Sequence, residues 1–344
     1  MSGEYVAYHL RYNKFIDRQT FIDLLIRIQR FFDISKYTYI GFGGVFLEDF
    51  KLIYNIFDVK KLISIEQQEF VISRQNINKP TSDTLCFQGL SGEFITNYDS
   101  FIGDESLIIW FDYANPKQLG NQLREIEALG SILEEGDILR VTFNANSDAL
   151  YNPVYVKEEN SQEEKIKREP IEIVLEKKWR KLTSRLGVYG KVATNDFDCE
   201  YMRQDKYYNV IIKLYQYALS KGLRGKSNLK AIHIMNNIYK DEAHQMLTCT
   251  TLIISRDREV EFFESSNLFA WEYYTGDQMA NMIAVPVISP SEKLRIDIEL
   301  PNSAEEISER IGFMLSSSKE ATTTSLQNYI KYHRFYPNFT RVIL

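Results

Sequence analysis

The chain has 344 residues, a formal net charge of −6, and 22 tyrosines and 21 phenylalanines against only 8 prolines. That length allows a large core in one domain or two, and so aromatic a composition with so little proline suggests a well-packed protein with few linkers. The acidic balance excludes a global basic footprint for nucleic acid, no apolar run reaches the roughly 18 residues needed to span a bilayer, and Met1 to Tyr5 lack a basic-then-apolar signal, so a cytoplasmic, membrane-free protein is expected.

The first segment, residues 5–17, carries Tyr8, Arg11, Tyr12 and Lys14. Over residues 18–32, Phe21, Ile22, Leu24, Leu25, Ile28 and Phe31 recur at i, i+3, i+4 and i+7, which predicts an amphipathic helix able to cover a sheet. Tyr37-Thr38-Tyr39-Ile40 is a β-branched and aromatic strand that runs into Gly41-Phe42-Gly43-Gly44. Glycines there permit positive φ and close approach of a ligand. Apolar spacing across residues 45–57 predicts a helix whose N-terminus offers free N–H groups to an anionic group. A second strand, Lys61-Leu62-Ile63-Ser64-Ile65, ends on Glu66, 25 residues after Gly41. In doubly wound folds a carboxylate at that strand tip accepts hydrogen bonds from ribose hydroxyls. Phe46 stands where the third glycine of a dinucleotide fingerprint would fall, which argues against a pyrophosphate cofactor.

A helix over residues 67–77 is closed by Pro80, and a third strand over 83–87 ends at Gln88-Gly89. The fourth, Ser106-Leu107-Ile108-Ile109-Trp110-Phe111, is a continuous apolar run of the kind found in parallel sheets covered on both faces, and it ends on Asp112-Tyr113. Helical spacing over 117–133 leads through Glu134-Glu135-Gly136-Asp137 to a fifth strand over 138–143 and then Asn144-Ala145-Asn146. Residues 147–205 break this rhythm with a charged run, 157–169, and a basic cluster, Lys177-Lys178-Trp179-Arg180-Lys181 with Arg185, the candidate contact for a phosphate-bearing partner. A helix over 208–219 precedes two strands, 231–239 and 245–254, joined by the polar turn 240–244 as a hairpin. The tail from 257 onward includes helical spacing over 304–316 and an aromatic stretch over 329–336. The cysteines Cys86, Cys199 and Cys249 are odd in number and widely spaced, which fits free thiols, and no metal-type spacing links them to the four histidines.

Five βα units followed by a hairpin, with a short G-x-G at Gly41 and Gly43, resemble the class I S-adenosylmethionine-dependent methyltransferases over roughly residues 20–255. The resemblance implies a doubly wound α/β fold, Rossmann-like, with a seven-stranded sheet whose last strand is antiparallel. It also implies a methyltransferase domain over 37–255 with an insertion at 147–205, an N-terminal lid segment over 1–36 and a C-terminal cap or interaction extension over 256–344. S-adenosyl-L-methionine is the implied cofactor, bound by Gly41, Phe42, Gly43, Gly44, Glu66, Gln67, Gln88 and Gly89. Asp112 is the implied base or orienting group and Tyr113 a stacking group for the acceptor, with Arg11, Lys14 and Asn144 as further substrate contacts; no metal is implied. Asp112 and Gln88 have alternative roles as helix caps, and Arg11 and Lys14 as surface ion pairs. Where the family carries an acid two positions before the first glycine, this chain has Tyr39. No N/D-P-P-Y/F tetrad follows the fourth strand, so O-methyl transfer to an unidentified acceptor is preferred. A second reading is a catalytically degenerate methyltransferase fold serving as a binding or assembly module in a bacterial multi-gene system, with a protein partner on the insertion or tail. A third is a nucleotide-binding enzyme of other chemistry.

Overall fold

Five short apolar strands alternate with helices along the first 144 residues of the computed structural model, which describes residues 11–153, 155–157, 166–241, 244–277 and 279–338. They are β1 (Thr38–Gly41), β2 (Lys61–Glu66), β3 (Leu85–Gln88), β4 (Leu107–Tyr113) and β5 (Ile138–Asn144). The helices among them are α1 (Tyr12–Ile28), α2 (Glu48–Phe57), α3 (Glu69–Asn78), α4 (Ser91–Thr96) and α5 (Leu119–Ile132). A small ribbon, β6 (Tyr155–Lys157) and β7 (Ile166–Arg168), precedes α6 (Ile171–Leu186), α7 (Gly190–Asp196) and α8 (Tyr207–Gly222). The hairpin is β8 (Leu229–Asp241) and β9 (His244–Ser255). After it come α9 (Glu259–Ser266), β10 (Asn281–Ile283), α10 (Pro290–Glu299), α11 (Ala304–Arg310) and α12 (Lys319–Tyr332).

The main sheet has eight strands in the order β10-β8-β9-β5-β4-β1-β2-β3. β9 is antiparallel to both neighbours and every other pair is parallel. The chain leaves β1 for β2 on one side and later returns to β4 on the other, so the strand order reverses between β1 and β4, where open α/β sheets bind ligands. The resemblance implied seven strands; β10, three residues long and paired only to β8, makes the eighth. Its shortness left no periodicity to read.

Strand alternation assigns each side chain to one of two cores. Tyr39, Leu62, Ile108, Trp110 and Ile138 face α1, α2 and the C-terminal helices, where Phe262, Ile296, Ile307, Leu326 and Tyr329 are buried with them. Ile40, Ile63, Ile109, Phe111, Leu139 and Val141 face α5 and α8. Leu175, Leu182, Leu186 and Ala193 of the 147–205 insertion share this second core, so α6 and α7 are part of the layer that covers the sheet. The first helix begins at Tyr12, six residues before the apolar periodicity. This places Lys14 and Arg18, one turn apart, on the same helical face. Tyr8, residues 158–165 of the charged run and Glu242-Ala243 of the hairpin turn lie outside the described residues.

Candidate active site

Parallel pairing brings the predicted residues to one edge. Gly41 is in register with Ser64 on β2 and Trp110 on β4, Glu66 with Gln88, and Asp112 with Thr142. Gly41, Glu66, Gln88, Asp112 and Asn144 therefore all stand at the carboxyl ends of adjacent strands. The glycine turn is shaped from inside: a Cβ on Gly43 would fall 2.1 Å from Leu47 Cδ2 and 2.8 Å from Ser64 Oγ. Gly44 has φ +51°, the left-handed region in which glycine carries no steric cost. Gln75 donates to the Gly44 carbonyl at 2.8 Å and Asn78 to the Val45 carbonyl at 3.1 Å, so α3 holds the turn in place. The amides of Gly43, Gly44, Val45 and Phe46 find no acceptor among the described residues. Phe42 stacks on Phe111 at 4.8 Å and so belongs to the packing beneath the turn.

Glu66 turns one oxygen, Oε1, onto the amides of Gln67 and Gln68 at 2.8 and 3.0 Å, while Oε2 takes no hydrogen bond from the described residues. Gln88 is exposed and its amide is unengaged among the described residues. It does not cap α4, because Glu93 Oε2 accepts from the Leu90 amide instead. Nor does Asp112 cap the helical turn beyond β4; Asn115 does, accepting from the Lys117 amide at 3.0 Å. Asp112 is a quarter exposed and accepts from Lys14 Nζ at 2.8 Å through Oδ2. Its Oδ1 is open among the described residues.

Tyr113 departs from its expected role. One residue beyond Asp112 on a strand, it points to the opposite face. There its ring packs against Phe42 and Phe111 and its hydroxyl donates to Glu125 at 2.5 Å. Burial holds the phenol well above its ordinary pKa; the ring is filling core and is not presented to an acceptor. Asn144 is likewise committed, donating to the Ala114 carbonyl at 3.1 Å and accepting from the Asn146 amide, which ties the β4 and β5 loops together. Three cations of the basic cluster have carboxylate partners: Lys178 is buried against Asp148, Lys177 pairs with Glu169, and Arg180 with Glu176, while Lys181 lies over the Tyr151 ring at 5.0 Å.

The helix laid across this edge was only partly anticipated. Arg11 donates to Asp241 at 2.8 Å, Lys14 to Asp112, and Arg18 to Glu48 at 3.1 Å and to Asp49. One turn further in, Asp17 and Arg140 form an ion pair at 2.6 Å with both side chains wholly buried. The Arg140 guanidinium lies 4.5 Å from the centres of both the Phe21 and Trp110 rings and donates to Thr250 at 2.7 Å. Asn237 supplies a hydrogen bond to the other Asp17 oxygen at 2.8 Å. Such a pair is tolerated in the interior because nearly every donor and acceptor is used. The sequence did carry a signal for it: an arginine in the middle of the apolar strand 138–143 needs a buried partner.

A family model described as "Putative O-methyltransferase" matches residues 6–344. The chain belongs to this O-methyltransferase family. A search of curated proteins finds no match. Among solved structures, the O-methyltransferase from Bacillus cereus in complex with SAH is similar at 10% identity over 69% of this chain and 80% of that one, with a TM-score of 0.37. The O-methyltransferase TomG from Streptomyces achromogenes, in complex with SAM, is similar at 12% identity over 74% and 92%, TM-score 0.34. A Methanococcus jannaschii fibrillarin is similar at 11% identity over 63% and 68%, TM-score 0.32. Likenesses of this size carry no weight for the site, and membership of the O-methyltransferase family rests on the model match. Among the described residues no helix is long and apolar enough to cross a membrane.

Proposed function

We propose that this O-methyltransferase family member binds S-adenosyl-L-methionine at the β1/β4 edge and transfers its methyl group to an oxygen of an acceptor positioned by Asp112. The support for this is the convergence of an open glycine turn, Glu66, Gln88 and Asp112 on neighbouring strand ends. The residues fit the nucleoside half of that cofactor. The four open amides of 43–46 offer donors, Glu66 Oε2 is an acceptor for ribose hydroxyls, and the Gln88 amide matches an adenine edge with one donor and one acceptor. They fit the methionine half less well, since Tyr39 replaces the usual acid and is buried edge-on against Phe50 at 4.8 Å. When bound, the cofactor supplies an electrophilic methyl group on a sulfonium.

The chain's own contribution is alignment and proton acceptance. Lys14 fixes Asp112 through Oδ2, leaving Oδ1 to orient an acceptor hydroxyl and take its proton. The fixed Lys14 also keeps a positive charge beside the carboxylate, so the pair is held in one geometry. Arg11 and Lys14 act on the acceptor indirectly, by anchoring α1 over the edge. Asp112→Asn should reduce turnover by about 10²- to 10⁴-fold while leaving S-adenosylhomocysteine affinity unchanged, measured with a methyl-transfer assay across candidate hydroxylated acceptors. Turnover equal to wild type would remove Asp112 from the chemistry.

The alternative is a catalytically degenerate methyltransferase fold serving as a binding or assembly module, and the observation that favours it is Tyr39, buried against Phe50 where the family carries an acid. The module reading predicts that S-adenosylhomocysteine still binds while no acceptor is methylated, and turnover that vanishes in Asp112→Ala counts against it.

A further inference from the structure

A cleft of about 620 Å³ opens at the amino end of β8, on the far side of the sheet from Asp112. It exists because β10 pairs only with residues 237–239 of β8, leaving the first half of that strand without a neighbour on its outer side. The loop before β10 covers part of the gap, with the Thr275 amide donating to the Ile234 carbonyl at 3.0 Å. His233 in the cleft and Asp241 at the carboxyl edge are eight residues apart on one strand, about 26 Å at ~3.3 Å per residue. A molecule held here does not reach the methyl-transfer edge.

Three kinds of group meet in the cleft. One wall is aromatic: Phe263 and Phe269 stack with centres 4.1 Å apart and planes 12° from parallel, and Tyr274 stands edge-on to both. Phe269 is 69% exposed, a large ring kept in solvent on top of a buried one. The rim is cationic. Lys226 and Lys230 are matched by Glu134 and Glu259, but Arg224 and Arg256 form no ion pair among the described residues; Arg224 only influences Glu127 from a distance, and Arg256 Nε donates to the Ser227 carbonyl at 3.0 Å. Of the two lining carboxylates, Glu259 is taken by Lys230 and Asp277 alone opposes an anion.

The third group is an oriented imidazole. Tyr215 donates its hydroxyl to Thr251 Oγ1 at 2.8 Å, and Thr251 Oγ1 lies 2.8 Å from His233 Nδ1. Burial raises the Tyr215 phenol, which stays protonated and donates to Thr251. In the tautomer in which Thr251 donates to Nδ1, Nε2 bears the hydrogen, and burial lowers the imidazole's pKa to about 4, so it stays neutral at physiological pH.

We propose that this cleft binds a small planar aromatic anion, its ring laid against Phe269 and Tyr274 and its anionic group held by Arg224, Arg256 and the Nε2–H of His233. Arginine suits both halves of such a ligand, because its fork matches oxyanions and its plane stacks on rings. This is a second site, separate from the methyl-transfer edge and independent of the reading given to that edge.

Calorimetric titration of the full chain with 1-naphthyl phosphate tests it, with 1-naphthol as the neutral control. Saturable binding of the phosphate is expected, with 1-naphthol at least tenfold weaker. The double variant Arg224→Ala/Arg256→Ala should lose at least tenfold in affinity, and Phe269→Ser severalfold. All three side chains are exposed, and unchanged melting temperatures check that the variants fold. Absence of saturable binding, equal affinity in the double variant, or displacement of the phosphate by S-adenosylhomocysteine would overturn the proposal.

Discussion

At the carboxyl edge of the sheet Arg11, Lys14 and Arg18 are each matched to a carboxylate, and Arg140 beneath them is wholly buried against Asp17. At the amino end of β8, by contrast, Arg224 and Arg256 are exposed and form no ion pair among the described residues. The first arrangement locks α1 across the strand ends and, among the described residues, leaves Asp112 Oδ1, Glu66 Oε2, the Gln88 amide and the turn amides open. The second locks nothing, and its cations are available to an incoming anion. Matched charge in this molecule holds α1 across the strand ends, and at the cleft a ligand is proposed to supply the charge that the arginines lack.

The sharpest way to break that contrast is at the buried pair. Asp17→Ala leaves Arg140 uncompensated in the interior and should destabilise the fold by about 3–5 kcal/mol, read from urea unfolding. A loss below about 1 kcal/mol would mean that the network does not anchor α1. Lys14→Ala acts nearer the surface, since Asp112 is a quarter exposed. It should cost about 1 kcal/mol in stability but lower kcat more than it raises KM, because Asp112 loses its fixed orientation while the nucleoside contacts remain. Equal changes in both constants would assign Lys14 to acceptor binding instead.

The smallest effect belongs to the other end of the sheet. The His233 imidazole falls from an ordinary pKa of 6.5 to about 4 on burial. The folded state thus takes up its proton less readily than the unfolded chain, so the contribution is complete above pH 6.5 and is lost as the pH falls toward 4. Melting temperature should decline over that window in the wild type and decline less in His233→Gln. Parallel curves would show that burial does not hold down the His233 imidazole.

Much of the scaffold was legible because its signals are local. The runs at 106–111 and 138–143 are apolar enough for a parallel sheet covered on both faces, and they emerge as β4 and β5; the hairpin 231–254 was marked by its polar turn. Gly41, Glu66, Gln88 and Asp112 could be placed at one edge from strand ends alone. The features that escaped depend on which face a side chain takes and on partners far away in sequence. Tyr113 read as a site residue by proximity to Asp112, yet alternation sends it to the α5 face. Lys14 and Asp112 are 98 residues apart and Arg140 and Asp17 are 123 apart; no periodicity encodes such meetings. The cleft at β8 depends on where a three-residue strand stops, which the sequence pattern does not mark.

The turn at Gly41 to Gly44 and the free oxygen of Glu66 must together receive a nucleoside if the chemistry assigned to this edge is right. Isothermal titration of wild type and Glu66→Ala with S-adenosylhomocysteine asks this directly. Saturable heat from the wild type, weakened at least tenfold in the variant, is the predicted result; no heat from the wild type, or the same affinity in both proteins, would contradict it.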